Sequence, residues 1–384
     1  MGNEPIALKQ NVDFSVYGLD FAADDTLIIG GGGGPNNIGF KNNLVSFKID
    51  TSSQKIIQLD SVLLSDKEDC PMSIACHPKL PLLAAGINSA ADKIEKRENM
   101  NCRIFNTDSA HLRFKYAIST STCKVADEYQ KVTRFSRSGN YLVTAFSDGK
   151  ISVLNTKDWS LAFAPVRLQN VQDADFDINE KHVAIATSGA LFILAIDGGE
   201  IVQVIDNPKL NRNTLCEIRA CRYGVNRQGI QTLYAVVNPV TRGRGFICAW
   251  KLRSRGVQYP VTKVKTAGIS RKSITSFAID FSGDVIAYAS TDLSIGFIDA
   301  QQLKPLLKLG KVNNFAITSL SFNCAGNLLA SAGTDNCFRV TIVPNLWKKG
   351  GDSIVVSMIF VFLDMLLFAL LMDIIVKMVY QGTL

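Results

Sequence analysis

The chain has 384 residues, 47% of them apolar and 20% charged, with a net charge of +7. That is enough chain for a large core and too apolar a mixture for a disordered one. Nine scattered cysteines without a C-x-x-C pair, and only three histidines (77, 111 and 182), exclude a zinc module and a disulfide framework; the cysteines read as small buried hydrophobes in a reducing compartment.

The first ten residues, "MGNEPIALKQ", lack an apolar h-region, and Ile6 stands where myristoylation needs Ser or Thr. Neither a signal peptide nor a lipid anchor is expected. A weakly repeated unit follows. Its copies are "LDFAADDTLIIGG" (19–31) continued by "LVSFKID" (44–50), "IACHPKLPLLAAG" (74–86) continued by "CRIFNTD" (102–108), and "TRFSRSGNYLVTAFSDGKISVLN" (133–155). Then come "ADFDINEKHVAIATSGALFILAID" (174–197), a fainter copy over 219–252, "SFAIDFSGDVIAYASTDLSIGFIDA" (276–300) and "SLSFNCAGNLLASAGTDNCFRVTIV" (319–343). The last two align without a gap, placing Gly283 on Gly326 and Asp292 on Asp335, with Gly139 and Asp148 of the third copy in register.

Each unit reads as short apolar or alternating runs punctuated by Gly, Asn and Asp, and almost nothing before Trp347 carries helical periodicity. A spacing of about 40–45 residues with four strands per unit predicts an all-β, seven-bladed WD-like β-propeller. The Trp-Asp dipeptide itself is missing; the aspartates of "SDG", "STD" and "GTD" read as turn acids that tie neighbouring strands. The seventh unit is one strand short, so residues near 5–11 are expected to supply its outer strand and close the ring.

Inside the first unit stand five glycines, 30–34, and a polar stretch with Pro35, Asn36, Asn37, Lys41, Asn42 and Asn43. The second strand is expected to end at Gly30 and the third to start at Leu44, leaving a connection of about fourteen residues where sister units use about two to four. A long loop on a rigid scaffold is a candidate functional element. Its stripped backbone can converge several carbonyl oxygens on one cation. A Walker loop or dinucleotide fingerprint would need a helix after the glycines, whereas here a strand follows.

No Ser-His-Asp or paired-carboxylate constellation stands out, and His77 in "CHP" reads as a turn residue. Between Pro208 and Lys272 fourteen Lys or Arg face a single acid, Glu217. This stretch is either a set of solvated loops or a patch for an acidic partner or anionic lipid. Its aromatics occupy strand positions, so no nucleic-acid role is expected. Residues 354–376, "IVVSMIFVFLDMLLFALLMDIIV", are apolar except for Ser357, Asp364 and Asp373, and predict one membrane-spanning helix. The expected domains are a cytosolic propeller (1–346), a basic juxtamembrane linker (347–353), the span (354–376) and a short lumenal tail (377–384), with the N-terminus cytosolic. The two intramembrane carboxylates lie on opposite helix faces. Asp373 can pair with Lys377, while Asp364 invites a partner helix or sorting receptor.

The loop "GGGGGPNNIGFKNNL" (30–44), set in a degenerate seven-bladed WD-like propeller ahead of a single span, resembles the potassium-binding loop of a known family. These are the endoplasmic-reticulum guanine-nucleotide exchange factors for the Sar-type GTPase of the coat protein complex II coat, which include the prolactin regulatory element-binding protein. The resemblance implies a role in starting coat assembly for ER-to-Golgi transport without bond chemistry. It makes Asn42 the residue important for exchange. Asn37, Ile38, Gly39, Phe40, Lys41 and Asn43 become GTPase contacts, and potassium is held by the carbonyls of Gly31, Gly32, Gly33, Gly34 and Asn37. It also implies a single-pass endoplasmic-reticulum membrane protein without the long lumenal domain of some fungal members. Pro35 directly after the glycines, and Phe40-Lys41 in place of an aliphatic residue and a proline, depart from the family pattern. An anchored scaffold or trafficking chaperone with the same architecture and no exchange activity is the alternative.

Overall fold

The computed structural model describes residues 5–35, 39–208, 210, 214–225, 229–241, 243–252, 261–345 and 347. The span expected over 354–376, with Asp364 and Asp373, lies outside them, and among the described residues no helix is long and apolar enough to cross a membrane.

Seven four-stranded antiparallel sheets follow one another along the chain. Blades 1 to 6 cover 16–63, 73–118, 130–167, 171–206, 216–270 and 274–309, and blade 7 covers 317–342 with one borrowed strand. That strand is Ala7–Asn11, paired antiparallel with Cys337–Ile342. The ring therefore closes as the sequence predicts. The joint is filled by Leu8, Phe14 and Val16 against Phe338 and Val340, and the Phe47 and Phe338 rings lie 4.8 Å apart.

Position in the blade explains each strand's composition. Second strands such as Leu82–Gly86 and Val285–Ser290 are buried at every residue, because neighbouring blades cover both faces. Outer strands such as Lys55–Leu63 have one wet face and are mostly exposed. The turn between first and second strands is organised by one buried polar side chain at the end of the first. Asp177 accepts from the backbone N–H groups of Lys181 and His182, Asp280 from those of Asp284 and Val285, and Asn323 from that of Leu328. Gly139 (φ +86°), Gly283 and Gly326 occupy the left-handed corner of such turns, which accounts for their shared register. The turn acids also act as expected: Asp148 pairs with Arg167 at 3.0 Å, Asp292 with Lys308 at 2.7 Å, and Asp335 accepts from Asn313 and Asn314.

Two expectations change. The first blade's second strand runs to Gly31 and its third begins at Asn43, since Gly31 pairs with Asn43, so the glycine connection is 32–42. Nor is it the only long one among the described residues. Blade 2 joins its second and third strands through 87–101, which contains the helix Ala91–Glu95. In an antiparallel blade the second-to-third connection and the link to the next blade leave the same end. Hence 32–42, 64–72, 87–101 and 119–129 share one face of the ring.

Candidate functional site

The glycine connection is braced from inside. Its first bend passes so close to the backbone before blade 1 that a Cβ on Gly31 would lie 1.9 Å from the Ser15 carbonyl oxygen, and Gly32 N–H donates to that oxygen at 3.0 Å. Gly32 has φ +150°, and a Cβ there would lie 2.2 Å from Asn42 Oδ1. Gly33 N–H donates across the loop to Phe40 O at 3.1 Å.

Asn42 is the centre of this brace. It is 1% exposed. Its Oδ1 accepts from Gly34 N–H at 3.0 Å, and its Nδ2 donates to Gly34 O at 2.9 Å and Glu68 O at 2.8 Å. Its carbonyl accepts from Leu64 N–H at 2.9 Å. Both amide N–H groups are consumed. The Asn42 side chain therefore points into the loop's base rather than outward. Among its described residues the loop presents Pro35, Gly39, Phe40 and Lys41 outward, all exposed. Asn37 and Ile38 lie outside the described residues. Asn43, expected in the contacting loop, is a ladder residue of the third strand, half-buried.

The 64–72 connection supplies side chains that sequence reading missed. Glu68, whose carbonyl receives the Asn42 amide, holds Arg103 through two bonds of 3.0 and 2.7 Å. Asp69 donates its N–H to Asn88 O at 3.1 Å, and Asn88 Nδ2 donates to Glu128 O at 2.7 Å. Beneath the loop, burial raises the Asp69 carboxyl's pKa, a shift opposed by the hydrogen bond from Cys70 N–H. Burial, with help from Asp69, pushes the Cys70 thiol up to about 12, so it is no nucleophile. Nothing in "SDKEDCPM" marks these partners, because Glu68 and Arg103 lie in different blades' segments.

The buried Asn43 Oδ1 has no hydrogen-bond partner among the described residues. No group of three or more His, Cys, Asp or Glu that could hold a metal occurs among them either. Of the four glycine carbonyls expected as ligands, that of Gly34 already accepts from Asn42.

His77 is structural, as its "CHP" setting suggests. Its Nδ1 accepts from Lys79 and Leu80 N–H at 3.0 and 2.9 Å, which leaves Nε2–H to donate to Gly139 O at 3.0 Å. The basic stretch is not a uniform patch, for Arg222 turns into the central channel and pairs with Asp173. Burial disfavours that guanidinium's charge, but Asp173 and Asp175 outweigh it and raise its pKa. Arg271 and Lys272 are exposed.

Residues 304–340 match the WD domain, G-beta repeat family, over the outer strand of blade 6 and most of blade 7. The chain is 22% identical over 354 residues to SED4 of Candida glabrata, provisionally named a guanine nucleotide-exchange factor, covering 89% of this chain and 33% of that protein. SED4 of Saccharomyces cerevisiae, named likewise, is 23% identical over 360 residues, covering 88% and 32%. Guanine nucleotide-exchange factor SEC12 of Candida glabrata is 23% identical over 340 residues, covering 87% and 72%. The chain thus spans about a third of the length of the SED4 relatives.

Proposed function

We propose, for a seven-bladed propeller whose homologues are guanine nucleotide-exchange factors, that the glycine-loop face releases GDP from a Sar-type small GTPase at the endoplasmic-reticulum membrane, to start vesicle coat assembly for ER-to-Golgi transport. The observation that carries this reading is the braced loop. A glycine-rich segment is held at its base by Asn42, and Phe40 and Lys41 stand exposed beside that brace. Such a wedge can press on the switch regions of a GTPase, and a partner that prefers the nucleotide-free state speeds GDP release without making or breaking a bond. Phe40 supplies apolar contact and Lys41 a positive charge that can compete for acidic or phosphate groups near the nucleotide. Asn42 acts as a positioning residue.

Potassium would be held by the carbonyls of Gly31, Gly32 and Gly33, with Asn37 from the adjoining stretch, and when bound its charge offsets the mutual repulsion of these oxygens. The apolar segment 354–376 would anchor the propeller so that exchange happens where the activated GTPase inserts.

The test is GDP release from the GTPase, followed by fluorescence, with the full chain and with Asn42→Ala. Three hydrogen bonds at a net ~1 kcal/mol each hold the loop's base, and 1.4 kcal/mol is a factor of about ten, so the variant should lose at least about tenfold. Limited proteolysis in potassium against sodium should show the loop protected by potassium alone. Wild-type chain that leaves GDP release unchanged would reduce the protein to an anchored scaffold.

A further inference from the structure

The central channel carries a feature that the exchange reading does not use. In six of the seven blades the first strand has a β-bulge at its second or fourth position, and the bulged residues are Tyr17, Lys131, Gln172, Arg219, Thr275 and Thr318. A bulge re-aims the side chain of the residue it inserts. Here all six line one cavity of about 270 Å³ at the channel mouth on the glycine-loop face. The six bulged residues have hydrogen-bond donors at every position, two of them cationic, and no acid, while Asp20 and Asp173 line the cavity deeper in.

Its cations are poorly matched. Lys131 Nζ and Arg219 Nη1 both donate to the neutral Gln172 Oε1, at 2.9 and 2.7 Å, and Lys131 Nζ donates also to Val171 O at 3.1 Å. Neither has a carboxylate within salt-bridge distance among the described residues, because the nearby Asp173 is taken by Arg222. Burial, and then repulsion from Arg219, depresses the Lys131 amine's pKa, against the attraction of Asp173 and Glu217. Thr275 Oγ1 is buried without a hydrogen-bond partner. Two cations that converge on neutral oxygens can both make stronger, charge-assisted bonds to an anion placed between them. At the opposite end Arg137 spans the opening, donating to Phe281 O at 2.8 Å with its guanidinium 3.8 Å from the Phe281 ring centre. The collar lies at the glycine-loop end, away from that contact.

We propose that this collar of bulged residues is a binding site for a small, multiply charged phosphate, seated between Lys131 and Arg219 where Gln172 Oε1 now stands. The volume lies below the ~300–1,000 Å³ of pockets for drug-sized ligands, which favours a compact oxyanion over a nucleotide. The site is independent of the exchange activity and of the cation at the glycine loop.

The full chain, purified in detergent, is titrated calorimetrically with pyrophosphate at constant ionic strength, and in a second arm with phosphatidylcholine vesicles with and without phosphatidylinositol bisphosphate. One saturable site is expected, weakened at least about tenfold in Lys131→Gln and in Arg219→Gln, each of which removes one charge-assisted bond. Arg271→Gln/Lys272→Gln, which removes exposed charge of the same basic stretch, should bind as wild type. Gln172→Glu supplies the missing carboxylate internally, so it should abolish binding and raise the melting temperature, which separates loss of the site from loss of the fold. Pyrophosphate binding identifies a soluble ligand; vesicle binding alone, with the same dependence on Lys131 and Arg219, identifies a lipid headgroup. The site is refuted if neither probe saturates, if the two collar variants bind as wild type, or if the surface control loses as much as they do.

Discussion

Asn42 and His77 are both buried polar side chains whose partners are backbone groups, and each fixes a segment that has no regular ladder of its own. For His77 the arrangement has a pH consequence. Burial lowers its pKa; the bond to Gly139 O opposes this and nearby Lys79 adds to it. The fold therefore prefers neutral imidazole, whose Nδ1 must accept two backbone bonds. Its stabilising effect is full above the unfolded value of about 6.5 and declines as acid takes the pH below that, towards the depressed folded value. Melting temperatures at about pH 7.5 and about pH 5.5 should fall more steeply for the wild type than for His77→Gln, which cannot titrate. Equal slopes would assign the acid sensitivity elsewhere.

The element that sets the candidate site is the pair of connections 32–42 and 64–72. Arg103, on the third strand of blade 2, clamps the second of these through Glu68, and the Glu68 carbonyl clamps the first through Asn42. Arg103→Ala strands a half-buried carboxylate, at a cost of roughly 1.5–3 kcal/mol. It should speed hydrogen exchange at the Gly33 and Gly34 amides and slow GDP release several-fold, with partial recovery in Arg103→Lys, which keeps charge but not the two-pronged bond. Protected glycine amides in Arg103→Ala would show that the loop holds without this clamp. The blades were legible because their period and turn glycines repeat, and the glycine loop because no strand pattern bridges 32–42. The inward turn of Asn42 was not legible, since a polar residue beside a loop reads alike whether it faces in or out. The clamp joins residues of two blades, and the bulges lie so near the strand starts that too few residues precede them for the break in alternation to show.

The ring as a whole depends on one joint. Deleting residues 1–11 would expose the edge of Cys337–Ile342 and empty the place of buried Leu8, whose burial alone is worth about 1.5–3 kcal/mol. The truncated chain should melt earlier and scatter light at lower temperature; an unchanged melt would show that the joint contributes little. The same joint imposes an order of events at the ribosome. The first strand to be made must wait for the last, and at ~5–20 residues per second that wait is on the order of tens of seconds. During it the half-built ring carries an unmated edge at each end. A helper that shields nascent β-structure would have its greatest effect on yield within that interval.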